Sequence, residues 1–375
     1  MATASLLDDG PFATMSYRVE PDQVMGPEKE EPTPGRPTVC GMRPTIDSDV
    51  EMATRDGVTL LADVYRPAGG GRWPVLLHRT PYDRTDPTLV SAIVADPLWL
   101  ARQGFAVVVQ DVRGRFTSGG ELDFAHQEHD DGYDAVEWAA AQPWSDGGVG
   151  VYGSSYHALS ALNAVAARPP HLRAALAMIG GADMEATSWP GGTFELGFLT
   201  LYSLGQSLDT ISRLDVDDAE RAALRRRVVA ALTDPAGTVA TLPLTDVDVL
   251  SDPRLGRAWQ ERLAHEPGDA YWDRPTVHAD PSRVDVPLLQ VAAYRDFLSP
   301  SMFRLAEALA GDPRHRLVAG PWAHGGVYTG PHPYGRERPG WFRPLRGSSG
   351  GRYRRTRCCL PGRGRRTRGS RRADQ

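Results

Sequence analysis

Short apolar runs alternate with amphipathic stretches along most of the chain. Two strand-like runs, 50–54 and 58–65, are joined by Arg-Asp-Gly at 55–57, and this arrangement predicts a β-hairpin. Beyond the hairpin, apolar runs typical of buried strands alternate with segments whose apolar residues recur at helical spacing. The pattern predicts strands at 74–79, 105–110, 148–152, 172–179, 286–293 and 316–319, and helices at 87–103, 126–142, 156–168, 217–232 and 300–310.

This alternation predicts an α/β fold, with a mainly parallel sheet, helices on both of its faces and the hairpin as an antiparallel edge. Residues 184–280 break the rhythm, starting with an irregular stretch, and are predicted to form an inserted, mostly helical cap. The core is thereby divided into 46–183 and 281–335. The segment 1–45 is rich in Pro, Glu and Asp and is predicted to be mobile. The segment 336–375 is rich in Arg, lacks apolar periodicity and is predicted to be disordered.

The composition is that of a soluble globular protein. Of the 375 residues, 41% are hydrophobic and 24% are charged, which excludes general disorder and fibrous architectures. The length exceeds one ordinary core of about 100–200 residues, so at least two structural units are expected. No apolar run reaches the roughly 20 residues that cross a bilayer, and no membrane partner is expected. The cysteines Cys40, Cys358 and Cys359 lack metal-ligand spacing and predict a reduced, cytoplasmic setting.

The net charge of −5 conceals an uneven distribution. Residues 336–375 hold 14 Arg against two acidic residues, Glu337 and Asp374. Lys29 is the only lysine, and this bias toward arginine indicates a GC-rich coding sequence. The Arg-rich segment itself resembles GC-rich DNA read in a shifted frame. A nucleic-acid or membrane-surface arm is the less favoured alternative, because no aromatic residues are interleaved with the charges in a folded module. No nucleic-acid partner is therefore expected.

A candidate nucleophile lies between a predicted strand and a predicted helix. Residues 149–158 read Val-Gly-Val-Tyr-Gly-Ser-Ser-Tyr-His-Ala. A serine at the apex of such a turn stands clear of the sheet, at the positive end of the following helix. Gly153 lies two residues before Ser155, where a side chain would collide with the neighbouring backbone. His157 takes the place of the second elbow glycine, so the motif is incomplete. Ser154 is the poorer candidate because tyrosines would flank it.

A serine nucleophile needs a base that takes its proton and an acid that orients this base. In α/β-hydrolases they follow in the order Ser, Asp, His, after later strands of the sheet. Asp296 directly follows one predicted strand, and His324 lies in the loop after the next, so both occupy the required positions. The alternatives are that Asp296 caps the next helix and that His324 is an ordinary loop residue. His157 is too close to Ser155 to act as its base and is interpreted as a helix-surface or packing residue. Asp285 precedes its strand, at the wrong end of the sheet.

Several motifs occur in an order that is known from one family. They are Arg-Thr-Pro-Tyr-Asp-Arg at 79–84, Gln-Asp-Val-Arg-Gly at 110–114, Ser-Gly-Gly at 118–120, Trp-Ser-Asp-Gly-Gly-Val-Gly at 144–150, the elbow at 153–156, Trp-Pro-Gly-Gly at 189–192, Tyr-Arg-Asp-Phe at 294–297 and Gly-Pro-Trp-Ala-His-Gly at 320–325. From about residue 48 to about residue 335, the chain resembles the cocaine-esterase/X-prolyl dipeptidyl-peptidase (peptidase S15) group of α/β-hydrolases.

The resemblance implies an α/β-hydrolase fold and residue roles that spacing alone does not show. It implies that the Tyr82 hydroxyl and the backbone N–H of Tyr156 stabilise the oxyanion, the alternative being that Tyr82 is a packed aromatic residue. It also implies that the cap covers the acyl site, with Trp189 and Phe194 as pocket-lining residues. The chain departs from the family at Ala158, where a second glycine is common. The family normally continues into a C-terminal jelly-roll domain, which this sequence is expected to lack.

These observations predict a serine hydrolase that cleaves an ester or an activated amide by acyl transfer. Ser155 is the predicted nucleophile, His324 the general base and then acid, and Asp296 the residue that orients the imidazole. Neither a metal nor an organic cofactor is expected. The expected partner is a small-molecule ester or amide substrate, and homo-oligomerisation is left open. The alternatives are an X-Pro dipeptidyl-peptidase-type amide hydrolase and a truncated, catalytically incompetent member of the same family.

Overall fold

A computed structural model of the chain describes residues 44–86, 95–123, 126–181, 183–273 and 276–325. The predicted Arg-rich segment, the three cysteines and nearly all of the predicted N-terminal segment lie outside the described residues. So does most of the first half of the predicted helix 87–103.

The core of the described chain is one eight-stranded sheet. Its strands are β1 (Thr45–Ala53), β2 (Thr59–Arg66), β3 (Trp73–Thr80), β4 (Ala106–Asp111), β5 (Ser145–Ser154), β6 (Leu172–Met178), β7 (Leu288–Arg295) and β8 (His315–Ala323). In space they follow the order β1-β2-β4-β3-β5-β6-β7-β8. The β1–β2 and β2–β4 pairs are antiparallel, and every other neighbouring pair is parallel. The predicted parallel sheet with an antiparallel hairpin at its edge is confirmed.

Helices connect these strands and fill the region between β6 and β7. The α-helices in the described residues are α1 (Pro97–Arg102), α2 (Gln127–Ala141), α3 (Tyr156–Ala167), α4 (Met184–Ser188), α5 (Leu196–Arg213), α6 (Asp218–Thr233), α7 (Pro235–Val239), α8 (Arg257–Ala264) and α9 (Ser299–Ala308). Short 3₁₀ turns lie at Pro190–Gly192, Leu244–Asp246, Asp248–Ser251, Ala270–Trp272 and Pro281–Arg283. None of the described helices is both long and apolar enough to cross a membrane.

The central strands are apolar on both faces, which is the condition for a parallel sheet covered on two sides. Every residue of β4, Ala-Val-Val-Val-Gln-Asp, is buried. Because successive side chains point to opposite faces, Val108 packs in one apolar cluster with Leu162 of α3. Val107 and Val109 pack in another cluster with Leu100 of α1. The prediction of helices on both faces is thus confirmed.

β8 is longer than the sequence predicts. It continues through Gly320, Pro321 and Trp322, where the apolar pattern predicts a loop. The strand continues because it still pairs with β7 as far as Arg295 and Ala323, with a shift of register after the pair of Ala293 and Gly320. A proline is compatible with this position because β8 lies at an edge of the described sheet, where one side of the strand needs no ladder hydrogen bonds.

α5 occupies the stretch that the sequence analysis predicts to be irregular. Leu199, Leu204 and Ile211 are buried at helical spacing, but Thr200 and Ser207 are buried on the same helix. The hydroxyls of Thr200 and Ser207 donate to backbone carbonyls one turn earlier, which satisfies them in an apolar environment. These buried hydroxyl residues interrupt the apolar face of α5, so hydrophobic periodicity does not predict this helix.

A buried ion network ties β3 to α2. Arg79 pairs with Glu128, and neither side chain is more than 3% exposed. Arg79 also donates to Gln110 over 3.0 Å and lies 3.7 Å from Asp131. The Tyr156 hydroxyl donates to the second Glu128 oxygen over 3.0 Å. Because this network is desolvated, the loss of one partner leaves an uncompensated buried charge.

We expect Arg79→Met to lower the free energy of unfolding by about 3–5 kcal/mol, because Glu128 then stays buried without its counter-charge. Urea unfolding followed by tryptophan fluorescence measures the change. Arg254→Met is the matched control, since Arg254 pairs with Asp252 and Glu220 at the surface. The control is expected to leave the unfolding midpoint unchanged. Equal shifts in the two variants would contradict a special role for the buried network.

Candidate active site

Ser155 is the single residue between β5 and α3, and its backbone is strained. Its φ is 57° and its ψ is −125°, a conformation that costs a non-glycine residue on the order of 1–3 kcal/mol. The Ser155 N–H donates to the Met178 carbonyl of β6 over 3.0 Å, and the Ser155 carbonyl accepts from the N–H groups of Ala158 and Leu159. The strand, the tight turn and the helix predicted around Ser155 are therefore all present.

Two glycines make this turn sterically possible. A Cβ at Gly153 would lie 2.3 Å from the carbonyl carbon of His157, a distance that no side chain can adopt. A Cβ at Gly180, in the loop after β6, would lie 2.5 Å from the Ser155 carbonyl oxygen and 2.6 Å from the Cβ of Ala158. The chain thus accommodates the Ala158 side chain against a glycine of the neighbouring loop. Gly180 is not among the predicted site residues, although a glycine directly after a predicted strand is a signal in the sequence.

The three predicted triad residues are hydrogen-bonded to one another. Nε2 of His324 lies 2.9 Å from Oγ of Ser155, and Nδ1 lies 2.7 Å from Oδ2 of Asp296. Because an ionised carboxylate only accepts hydrogen bonds, Nδ1 carries the proton and the lone pair of Nε2 faces the serine hydroxyl. The other Asp296 oxygen accepts from the Leu298 N–H over 2.7 Å. The carboxylate therefore also stabilises the turn before α9. This contact is close to the helix-capping role that is the alternative prediction for Asp296.

The ends of two neighbouring strands bring Asp296 and His324 together. Asp296 follows the last residue of β7, and His324 follows the last residue of β8. The ring of Phe297 lies 4.8 Å from the His324 ring and 4.3 Å from the Phe198 ring of α5. The imidazole is thus held by a carboxylate at one nitrogen and by an aromatic ring beside it. Phe297 belongs to the Tyr-Arg-Asp-Phe motif at 294–297, but no role of its ring is predicted from the sequence.

Tyr82 lies in the loop after β3, and its hydroxyl is 3.4 Å from that of Tyr202 on α5. Burial raises the pKa of the Tyr82 hydroxyl, and the hydrogen bond with Tyr202 and the nearby Arg115 guanidinium offset this rise only in part. A phenol with a raised pKa keeps its proton at neutral pH and can donate it in a hydrogen bond. Tyr202 is a site residue that the sequence analysis misses, because the helix that carries it is not recognised there.

Tyr156, the residue after Ser155, is the first residue of α3. The first N–H groups of an α-helix have no acceptor within the helix and point toward its positive end. The Tyr156 hydroxyl donates to Glu128 of the buried network. Burial and the neighbouring Glu128 carboxylate raise the pKa of this phenol well above its usual range. The ion network therefore anchors the residue that follows Ser155.

A mainly apolar pocket that is open to solvent lies beside Ser155, and its empty space together with the adjoining solvent amounts to about 400 Å³. The core and the helical region between β6 and β7 both contribute to its walls. Its lining residues are Tyr82, Ser155, Tyr156, Leu159, Gly181, Met184, Thr187, Phe198, Leu199, Tyr202 and Leu298. No charged side chain is among these described residues. The cavity can hold an uncharged apolar group next to the serine oxygen.

Trp189 and Phe194, the pocket-lining residues that the resemblance implies, do not line this cavity. The Phe194 ring lies edge-on to Trp189 at 5.1 Å and to Trp259 at 5.3 Å. Phe194 belongs to the apolar cluster that holds the helices between β6 and β7 together. Phe198 and Tyr202, which lie one helical turn apart on α5, line the cavity instead.

A layer of two neutral histidines lies beneath the turn. His157 is buried, which excludes the helix-surface interpretation. Its Nδ1 lies 2.8 Å from the Ser154 carbonyl oxygen, and its ring stacks on that of His78 at 4.3 Å. Nδ1 of His78 lies 3.1 Å from the Tyr152 carbonyl oxygen. Burial lowers the pKa of His78 to about 4, and burial together with His78 lowers the pKa of His157 well below its usual value.

Known proteins resemble this chain over most of its described length. The sequence profile of the X-Pro dipeptidyl-peptidase (S15 family) matches residues 56–326. Cocaine esterase from Rhodococcus sp. (strain MB1 Bresler) is 33% identical over 288 residues, which cover 75% of this chain and 49% of the esterase. Dipeptidyl aminopeptidase BIII from Pseudoxanthomonas mexicana is 28% identical over 168 residues, 40% of this chain and 24% of that protein. The chain thus spans about half the length of cocaine esterase.

Solved structures share the fold. The crystal structure of a CocE/NonD family hydrolase from Staphylococcus aureus superposes with a TM-score of 0.55 at 22% sequence identity, covering 74% of this chain and 46% of that one. The α/β-hydrolase fold and the family resemblance predicted from the sequence are both confirmed.

The buried histidines predict a loss of stability in mild acid. The folded chain keeps His78 neutral down to about pH 4, whereas an unfolded histidine binds a proton below about pH 6.5. The unfolded state then binds more protons, so the free energy of unfolding decreases as the pH falls from about 6.5 toward 4. For His78 the full decrease is on the order of 3 kcal/mol.

Urea unfolding at pH 7.5, 6.0 and 5.0 measures this dependence. His78→Asn, which retains a donor near the position of Nδ1, is expected to lessen the decrease. The control is His171→Gln, because His171 lies at the surface beside Glu137. An identical pH dependence in the wild type and both variants would contradict the assignment to His78.

Proposed function

The chain belongs to the X-Pro dipeptidyl-peptidase (S15) family, and we propose that it is a serine hydrolase that cleaves an ester or an activated amide through an acyl-enzyme. The proposal rests on one observation above the others: the continuous hydrogen-bonded arrangement from Asp296 through His324 to Ser155, with separations of 2.7 and 2.9 Å. A base within hydrogen-bond distance of a hydroxyl at the apex of a strand-turn-helix is the arrangement that nucleophilic acyl transfer needs.

The reaction begins when Oγ of Ser155 attacks the substrate carbonyl carbon. The hydroxyl proton passes to Nε2 of His324 as the new C–O bond forms, and the Asp296 carboxylate stabilises the resulting imidazolium. The imidazolium then gives this proton to the leaving alkoxide or amine, and the acyl group stays on Ser155. Water enters, loses a proton to Nε2 and releases the acid by the same steps in reverse.

Two donors stabilise the negative charge on the carbonyl oxygen in the tetrahedral intermediate. One is the hydroxyl of Tyr82, which borders the same cavity as Ser155; a phenol keeps its proton at neutral pH, and burial raises the pKa of this one further. The other is the backbone N–H of Tyr156, at the positive end of α3. Fixed donors of this kind act on the charge as it develops and need no reorganisation during the reaction.

The lining of the cavity favours an uncharged, apolar acyl group. Leu159, Met184, Phe198 and Leu199 contribute apolar surface, and the polar groups of the lining side chains are hydroxyls. An X-Pro dipeptide brings a charged α-amino group that calls for a carboxylate partner, and the described lining has none. An ester substrate is therefore preferred over a dipeptidyl substrate. In this proposal residues 184–280 act as a cap, with α4 and α5 as the wall over the acyl group.

We expect Ser155→Ala to abolish the hydrolysis of p-nitrophenyl butyrate while circular dichroism shows an intact fold. A fluorophosphonate probe is expected to label Ser155, identified in the modified peptide. Ser160→Ala is the matched control, because Ser160 is a buried serine on the same helix. Labelling of Ser154, or undiminished turnover in Ser155→Ala, would overturn the proposal.

The same assays distinguish the two alternatives. A wild-type chain that folds but neither hydrolyses the ester nor reacts with the probe would support the catalytically incompetent alternative. Faster turnover of Ala-Pro-p-nitroanilide than of the ester would support the peptidase.

We expect Tyr82→Phe to lower kcat by ~10²–10³-fold, because it removes one oxyanion donor. KM for p-nitrophenyl butyrate is expected to change little, since the donor acts mainly on the transition state. Steady-state kinetics separate the two parameters. Tyr133→Phe, in a tyrosine that packs under the exposed Arg55, is the control. Full activity of Tyr82→Phe would remove Tyr82 from the oxyanion site and leave the nucleophile assignment intact.

A further inference from the structure

Three hydrogen bonds join the loop that carries Tyr82 to the turn that carries Ser155. The Tyr82 N–H donates to Oγ1 of Thr80 over 3.0 Å. Oγ1 of Thr80 lies 3.0 Å from Nε2 of His157, and Nδ1 of His157 lies 2.8 Å from the Ser154 carbonyl oxygen. Thr80 and His157 are both buried. The connection thus runs from the backbone of Tyr82 to the residue before Ser155, through the interior.

The direction of each hydrogen bond follows from chemistry. A carbonyl oxygen only accepts, so the proton of the neutral His157 ring is on Nδ1, and Nε2 is an acceptor. The Thr80 hydroxyl must then donate to Nε2, and its oxygen remains free to accept the Tyr82 N–H. Burial and the stacked His78 ring oppose protonation of His157, so the ring stays in this form. All donors and acceptors in the connection are matched.

We propose that Thr80 and His157 form a positioning brace that fixes the Tyr82 hydroxyl relative to Oγ of Ser155. The inference rests on the proposed function, because it assigns the brace to the oxyanion donor of that site. Neither Thr80 nor His157 is among the residues that line the cavity beside Ser155. Both act through Tyr82. From the sequence, His157 is predicted only to pack or to lie on a helix surface. The brace gives this residue a function.

The geometry of the Tyr82 loop explains why a brace is needed. Tyr82 follows β3 by two residues, and Asp83 immediately after it has a φ of 72°. From the other side, Nε of Arg115 donates to the Pro81 carbonyl over 3.2 Å. The ring of Tyr82 lies edge-on to that of His157 at 5.2 Å. A donor on such a loop loses much of its effect when it shifts by about 1 Å, since catalysis depends on placement.

The experiment is a double-mutant cycle between Thr80→Val and Tyr82→Phe, with p-nitrophenyl butyrate as the substrate. Thr80→Val keeps the shape of the side chain and removes both of its hydrogen bonds. We expect it to lower kcat by about 10-fold with KM within about twofold, because the donor is displaced and the cavity is unchanged. In the Tyr82→Phe background the same substitution is expected to cost less than about twofold, since the hydroxyl it positions is already absent.

Two further variants complete the test. Thr80→Ser retains the hydroxyl and is expected to recover kcat to within about threefold of the wild type. His157→Phe removes the ring nitrogens from the same connection and is expected to give the same Tyr82-dependent loss, which keeps the test available if Thr80→Val does not fold. Ser160→Ala, one helical turn beyond His157, is the control for a general effect of substitution in α3 and is expected to leave kcat unchanged.

The outcomes separate this inference from the proposed function. If Thr80→Val and His157→Phe lower kcat by the same factor with and without the Tyr82→Phe substitution, their role is structural and the brace is overturned. An unchanged kcat in both folded variants overturns it as well. If Tyr82→Phe itself is fully active, the oxyanion role fails and the brace fails with it. If Ser155→Ala is fully active, the proposed function itself is overturned, and the brace is overturned with it because it rests on that function.

Discussion

The parallel alignment of β5, β6, β7 and β8 is the constraint on which the rest of the site depends. Parallel strands end at the same edge of a sheet, so the residues that follow β5, β7 and β8 meet there although they lie far apart in the sequence. Ser155, Asp296 and His324 are these residues. Their hydrogen bonds can form at 2.7–2.9 Å because the backbone registers of three neighbouring strand pairs fix where each strand stops.

The turn at Ser155 adds a second constraint, which acts within a few residues. A non-glycine residue at a φ of 57° is unfavourable, and the surrounding structure has to hold it there. The Met178 carbonyl accepts its N–H, while Gly153 and Gly180 leave the space that the turn fills. In the proposed function, this strained turn presents the Ser155 hydroxyl to His324 as the nucleophile. The local conformational cost then holds that hydroxyl in a fixed position.

Buried polar groups around the turn form two kinds of network with different consequences. The Arg79–Glu128 pair is charged and compensated, and it anchors the Tyr156 side chain behind the turn. The His78–His157 layer is neutral, because burial opposes a charge on either ring. A charged pair fixes geometry through strong, mutually dependent interactions, whereas a neutral layer fixes it only while no proton is bound. The candidate site rests on both networks. The loss of one charged partner destabilises the first, and a fall in pH destabilises the second.

The sequence by itself determined the sheet, most of its helices and the three triad candidates. Buried strands show as continuous apolar runs, and the carboxyl ends of parallel strands share one edge whatever connects them. It also determined the family, through motifs that retain their order. Only the tertiary structure decided the rest. Pairing with β7 extended β8, and buried hydroxyls concealed α5, so Phe198 and Tyr202 could not be placed at the cavity from the sequence. The contact of Thr80 with His157 joins residues 77 positions apart, and no local pattern encodes a hydrogen bond that arises only when a strand end and a helix start are packed together.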